Sequence, residues 1–203
     1  MIGEYDFPST WWDASTSVIF HKTKEEWGEL SNMCAGFPIV INGNVWLTSE
    51  AVYQAFRFPE HPEIQELIRE QKSPMAAKMK SKPNRSSCSR DDWDLVRIDI
   101  MNWCLRAKLV ANFESFGEIL RKTGKSDIVE RSTKDQFWGA KEAYDGVLKG
   151  QNVLGRLLVN LRTASVSGDV ESEAFLRPPV ENMVLLGQKR LIVMAQQSGN
   201  TLF

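Results

Sequence analysis

Between Trp93 and Val110, apolar residues return at steps of three and four: Trp93, Val96, Ile100, Trp103, Ala107 and Val110. At 3.6 residues per turn they share one side, so the spacing predicts a long amphipathic helix whose stripe other elements must cover. Trp93 and Trp103 on that stripe read first as core residues, because large aromatics most often fill interiors. The chain's 203 residues hold one such core with a terminal addition, and hardly a second.

Composition narrows the function classes. With 42% apolar and 25% charged residues, the chain fits neither a disordered nor a membrane-spanning protein. Apolar runs such as Leu191 to Ala195 fall far short of the roughly 20 residues a spanning helix needs, so no membrane partner is expected. Glu4 and Asp6 break the basic, then apolar, start of a secretory signal, which points to a cytoplasmic protein. Three cysteines, Cys34, Cys88 and Cys104, lack CxxC spacing and suit reduced thiols rather than a disulfide framework or a zinc cluster. His21 and His61 are the only histidines and sit in no triad or metal motif, so no metal site is assigned and proton transfer falls to carboxylates, Lys or Tyr. Basic and acidic residues number 25 and 26, a net charge of −1. That balance provides no global field for nucleic acid, and any anionic ligand must be met locally.

Along the chain, Val18 to Phe20 reads as a strand, and Phe37 to Ile41, Asn42-Gly43 and Val45 to Leu47 read as a hairpin. Thr48 or Ser49 caps a helix to about Phe58, Pro62 opens the next, and Ser73-Pro74 begins a third. Lys82 to Arg90 is a loop by composition. Phe113 to Lys122 reads as a helix stopped by Gly124, Asp127 to Glu130 as a brief strand, and Asn152 as the cap of a last helix ending near Thr163. Pro178-Pro179 lies in a linker-like stretch before two short strand candidates, Val184 to Leu186 and Arg190 to Met194.

Four groupings carry chemistry, each beside a plainer reading. Glu50, Tyr53, Gln54 and Arg57 share one helix side, a pocket wall or merely a solvated surface. Lys78, among Met75, Ala76, Ala77 and Met79, is a candidate desolvated nucleophile or an ordinary surface lysine. Asp135, Phe137, Trp138 and Gly139 join a carboxylate to an aromatic face that can hold a planar base, with Trp46 and Trp93 as a second wall or as core. Gly150 to Arg156 opens a helix whose free amides and Arg156 could receive a phosphate, or is only a glycine turn with an Asn cap. The basic run of Lys78, Lys80, Lys82 and Arg85 reads either as a solvated loop or as a phosphate contact.

Taken in order, Leu30-Ser31-Asn32, Trp46-Leu-Thr-Ser-Glu50, Gln54-Ala55, Ala77-Lys78, Asp92-Trp93, Arg97, Thr123-Gly124, Ile128-Val129-Glu130, Asp135, Phe137-Trp138-Gly139 and Gly150-Gln-Asn152-Val-Leu-Gly155-Arg156 form a series. With it the chain resembles the NADAR, or YbiA-like, family over about residues 20–163. The specificity lies in the order of many short motifs. The resemblance implies an α+β, predominantly helical single domain with a small sheet, spanning 18–163 between an N-terminal extension, 1–17, and a C-terminal one, 164–203. It also implies a hydrolase: an N-glycosidase that breaks the C–N bond between a phosphorylated ribose and a base or amine, without a prosthetic cofactor. Family members act on phosphorylated riboflavin-pathway intermediates, and others remove ADP-ribose from guanine in DNA, so the partner is a small phosphorylated ribosyl compound or, as the alternative, ADP-ribosylated nucleic acid.

Carried over by position, Glu50, Lys78 and Asp135 are the candidate catalytic residues, with Lys78 capturing the opened sugar as a Schiff base and Glu50 moving protons. Trp93, Trp138 and Asn152 match substrate-binding positions, and Asn32, Trp46, Tyr53, Gln54, Gly139 and Arg156 complete the candidate wall. Ala51 and Arg57 stand where the family often has histidine and lysine, which leaves the choice of substrate open. Two rival readings remain: a non-catalytic ADP-ribose or nucleotide-binding module, and a structural or partner-binding protein that uses the 164–203 extension and binds no phosphorylated ribose. The residues after 164 are expected to be dispensable for chemistry.

Overall fold

The structure, a computed structural model, describes residues 5–167 and 176–195. Strands β1 (Thr10–Asp13) and β2 (Val18–Phe20) precede a 3-10 turn at Gly28–Leu30 and the hairpin of β3 (Ile39–Ile41) and β4 (Asn44–Trp46). Asn42 and Gly43 both take positive φ, 51° and 78°, the conformation a two-residue hairpin turn needs and these residue types tolerate.

Helices α1 (Ser49–Ala55), α2 (Pro62–Arg69) and α3 (Pro74–Ser81) follow. Thr48 caps α1 through the Ala51 amide and Ser73 caps α3 through that of Ala76, as Ser and Thr at that position do. α1 stops at Ala55 rather than Phe58. The 82–90 segment is not the loop its composition suggests: a 3-10 turn at Lys82–Asn84 runs into α4 (Arg85–Cys88), Pro83 fitting a first turn where no amide is needed.

The predicted amphipathic helix is α5 (Trp93–Ala111), followed by α6 (Phe113–Lys122), β5 (Ile128–Glu130), the hairpin of β6 (Lys141–Tyr144) and β7 (Val147–Gly150), α7 (Val153–Ser167) and β8 (Val193–Met194). The result is a mixed, predominantly helical α+β domain in which the described residues form three small sheets. These are antiparallel β1-β7-β6, parallel β2-β5, and antiparallel β4-β3-β8.

Both flanks of the 18–163 span pack onto it. β1 pairs with β7, Thr10 opposite Gly150. After the 168–175 stretch, Leu176, Val180, Met183, Leu185, Leu191 and Val193 are buried in the same core as α1 and α5. Trp103 Nε1 donates to the Leu176 carbonyl at 3.2 Å. Gln65 on α2, fully buried, donates to the carbonyls of Ala55 and Val184 and accepts from the Leu186 amide. Arg90 donates to the Glu181 and Asn182 carbonyls, and its own amide bonds the Arg57 carbonyl. The C-terminal segment is therefore tied to the end of α1, the helix on which the site is built.

α7 approaches β5 so closely that a Cβ on Gly155 would stand 2.0 Å from the Ile128 carbonyl oxygen. Asn152, at φ 51°, completes that junction: its amide donates to the Ile128 carbonyl and its oxygen accepts from the Glu130 amide. The side chain expected to cap α7 thus fixes β5 instead, which holds Glu130 in place.

Candidate active site

One cavity of about 330 Å³ gathers most of the chemistry, lined among others by Asn32, Glu50, Tyr53, Gln54, Lys78, Glu130, Asp135 and Trp138. The i, i+3, i+4 stripe on α1 brings Glu50, Tyr53, Gln54 and, past its end, Arg57 to one wall.

Glu50 is 3% exposed. Its Oε2 accepts from Asn32 Nδ2 at 2.6 Å and its Oε1 from Gln54 Nε2 at 2.9 Å, with Lys78 Nζ 4.0 Å away. Gln54 cannot turn its amide around freely, because its Oε1 accepts from Ser81 Oγ and Arg85 Nη2. Burial pushes the Glu50 carboxyl above the usual carboxylate range, against the pull of Lys78, Gln54, Arg85 and Asn32. Asn32 is itself anchored: the Glu50 amide and Ser49 Oγ bond its carbonyl. Just before it, the buried Lys108 amine donates to the carbonyls of Glu29 and Ser31 at 2.6 and 3.1 Å. Burial brings Lys108 down to about 7, a cost offset by those bonds and by the rings of Phe37 and Phe116.

Lys78 reaches the cavity, but not through the surroundings expected of it. Met75 and Met79 are exposed, and the lysine side chain is 47% exposed; only Ala77 turns inward. The one ion pair of its amine among the described residues is with Glu50.

The structure adds a carboxylate that the sequence-based candidate list omits. Glu130, at the end of β5, lines the cavity. It is pushed up to about 7, chiefly by burial and then by repulsion from Asp135 and Glu50, with Lys78 pulling it down. An acid raised in this way favours its neutral form in the fold. The stability it contributes is whole below the ordinary value of 4.5 and is lost as pH rises through about 7. Glu130→Gln should therefore be more stable than wild type at pH 8, by about 1–2 kcal/mol once partial exposure is discounted, and equal to it near pH 4. Thermal melts across that range check this; a gap that stays constant with pH would contradict it.

Asp135 lines the same cavity but has a structural duty: its Oδ1 accepts from the amides of Phe137 and Trp138, both at 2.9 Å. It fixes the loop that presents Trp138, whose ring stands edge-on to Tyr53 and Phe137 at 5.7 and 5.1 Å.

Five of the sequence-derived positions lie outside the cavity lining. Trp46 is fully buried in the core. Trp93 is buried behind the wall, its ring 4.9 Å from Tyr53 and under the Arg57 guanidinium. Gly139 allows the backbone to pass the Glu130 carbonyl, 2.6 Å from where a Cβ would be. Asn152 spends its amide on β5, and Arg156 bonds the Pro8 carbonyl and lies over the rings of Phe7 and Trp12. The start of α7, with Arg156, thus lies outside the cavity, whose lining includes arginines 57, 85 and 97. Arg85 belongs to the basic run and Arg97 to the motif series, yet only the fold shows that they converge.

The NADAR domain family model matches residues 19–164. The chain belongs to the NADAR family. It is 37% identical over 150 residues to the N-glycosidase YbiA of Shigella flexneri serotype 5b, covering 72% of this chain and 87% of that one. A riboflavin biosynthesis protein of Vibrio vulnificus is 30% identical over 147 residues, which are 71% of this chain and 37% of that larger protein. The NMR structure of the Escherichia coli protein YbiA superposes with a TM-score of 0.62 at 33% identity, over 77% of this chain and 89% of that one. The NADAR match thus covers the segments that supply the cavity. Among the described residues, no helix is long and apolar enough to cross a membrane.

Proposed function

We propose that this NADAR protein hydrolyses the bond between the anomeric carbon of a phosphorylated ribose and the nitrogen of a base or amine. Hydrolysis of an N-glycosyl bond is the class to which its curated relatives' names belong. The observation that carries the reading is the meeting in one cavity of a lysine amine and a buried carboxyl 4.0 Å apart, with a second raised carboxyl, Glu130, beside them.

The chemistry follows from those groups. Breaking a ribosyl C–N bond builds positive charge at the anomeric carbon and negative charge on the leaving nitrogen. The Glu50 carboxylate takes a proton from the Lys78 ammonium, and the freed amine attacks: the Nζ–carbon bond forms as the carbon–nitrogen bond breaks, and the leaving nitrogen takes a proton from Glu50 or Glu130. Protonation of the ring oxygen then opens the sugar to an imine on Lys78. Water adds to that imine, freeing the ribose phosphate and restoring the amine, so the balance closes with one water. Trp138 supplies an aromatic wall for the departing base.

The riboflavin name of the Vibrio relative and the net charge of −1 favour a ribosylamine phosphate over ADP-ribosylated DNA, since a nucleic-acid substrate calls for a basic surface. The three free cysteines fit a reducing cytoplasm. Incubation with a panel of ribosylamine phosphates and with ADP-ribosylated DNA, read by mass spectrometry, tests the reading. A released base or amine with free ribose phosphate is the expected result; binding without release would make the protein a non-catalytic module, and release from DNA alone would move the substrate class.

A further inference from the structure

Beside its carboxyls and Lys78, the cavity lining holds the guanidinium groups of Arg57, Arg85 and Arg97, with more donors than the protein uses. Each guanidinium carries five N–H groups in a fixed plane. Arg85 spends its Nε and Nη2 on Ser81 Oγ and Gln54 Oε1. Arg57, by contrast, makes one long contact, from Nη1 to Ser89 Oγ at 3.5 Å, and Arg97 one ion pair, from Nη1 to Asp94 at 3.6 Å, the aspartate being 86% exposed. The buried Nε atoms of both lack a partner among the described residues.

These two groups are nevertheless held in place. The Arg57 guanidinium lies 4.1 Å over the Trp93 ring and that of Arg97 4.0 Å over Phe137. Stacking on a ring face supports the planar fork from one side and leaves its edges for a ligand. Burial lowers Arg57 from its usual range, and the repulsion of Arg85 and Arg97 adds to it, against the pull of Tyr53 and Asp94. A protein of net charge −1 that concentrates cations in this way leaves their repulsion for an anion to relieve.

Arg57 follows the end of α1, seven residues beyond Glu50. Tyr53, between the two in sequence, is raised first by burial and then by Glu50, with Arg57 and Arg97 pulling the other way.

We infer that Arg57 and Arg97 form the seat for the substrate's phosphate monoester, so that the sugar lies along α1 with its anomeric carbon at the Glu50–Lys78 end. The inference rests on the N-glycosidase reading for the identity of the sugar, while the anion seat stands on the arginine geometry. Trp93 and Phe137 then act from behind, as supports for the two forks. Planar forks present paired donors to phosphate oxygens, which a lysine cannot do.

Calorimetric titration with ribose 5-phosphate, inorganic phosphate and unphosphorylated ribose tests it. Wild type should bind ribose 5-phosphate at least about tenfold more tightly than ribose. Arg57→Gln and Arg97→Gln should each weaken ribose 5-phosphate at least about tenfold and leave ribose unchanged, whereas Arg156→Gln should match wild type. Arg57→Lys and Arg97→Lys, which keep charge and stem, guard against loss of fold and should still weaken it severalfold. The seat is overturned if wild type gains nothing from the phosphate, if the arginine variants bind as wild type does, or if Arg156→Gln is the variant that fails. Arginine-independent binding with turnover intact would sink the seat and leave the glycosidase; arginine-dependent binding with no turnover on any ribosyl substrate would do the reverse.

Discussion

Glu50→Gln should slow turnover by about 10²-fold or more. The carboxyl is buried, raised by that burial, and 4.0 Å from the Lys78 amine, so it can exchange protons with the nucleophile and the leaving group. An amide of the same shape cannot. It would also turn an NH₂ toward a donor, either Asn32 Nδ2 or Gln54 Nε2, both of which now donate to Glu50. That conflict costs about 1–3 kcal/mol, partly offset because the variant no longer buries an ionisable group. Single-turnover rates beside a thermal melt separate the two effects. A folded Glu50→Gln enzyme with unchanged turnover would remove Glu50 from the chemistry.

Truncation after Ala164 should abolish the fold. The cut removes Leu176, Val180, Met183, Val184, Leu185, Leu191 and Val193, all buried, and burying each such side chain contributes about 1.5–3 kcal/mol. Their sum matches or exceeds the roughly 5–15 kcal/mol by which domains are stable. It also strips β3 of its partner β8 and leaves the buried Gln65 without the Val184 carbonyl and Leu186 amide. Soluble yield and near-ultraviolet circular dichroism of the 1–164 chain are the readouts. A cooperatively melting, active fragment would show that the C-terminal segment is an accessory after all.

Local grammar made much of the helical frame legible. Caps at Thr48 and Ser73, Pro62 at a first turn and the three-four stripe of α5 all act within a few residues. The turn at Asn42-Gly43 was equally plain, and Asp145-Gly146 offered the same kind of signal, with Gly146 at φ 73°. That second hairpin passed unread because every residue of β6 is exposed, so no alternation marks it. β1 had no local signal of its pairing, since Thr10 meets Gly150 across most of the chain. The tail looked like a linker for the same reason: its apolar residues are scattered among prolines and polar residues, and only the core of α1 and α5 shows what they cover.

The site divides along the same line. The α1 stripe was readable because helical spacing alone puts Glu50, Tyr53 and Gln54 together. Glu130 was not, since its neighbours Ile128 and Val129 mark only a strand, and its raised pKa arises chiefly from burial and then from Asp135 and Glu50, none of which local sequence shows. Arg156 looked like a phosphate ligand at a helix start, yet the N-terminal segment, through Phe7, Pro8 and Trp12, claims its side chain.

Lys78 as the nucleophile is the claim on which the proposed chemistry turns, and borohydride added during turnover with a ribosylamine phosphate tests it most directly. An imine between Lys78 and the opened sugar predicts a reduced ribose phosphate adduct on Lys78, located by peptide mass spectrometry, and no adduct with most activity lost in Lys78→Ala. Full activity in Lys78→Ala, with no adduct in the wild type, would contradict it and assign the attack to water activated by Glu50 or Asp135.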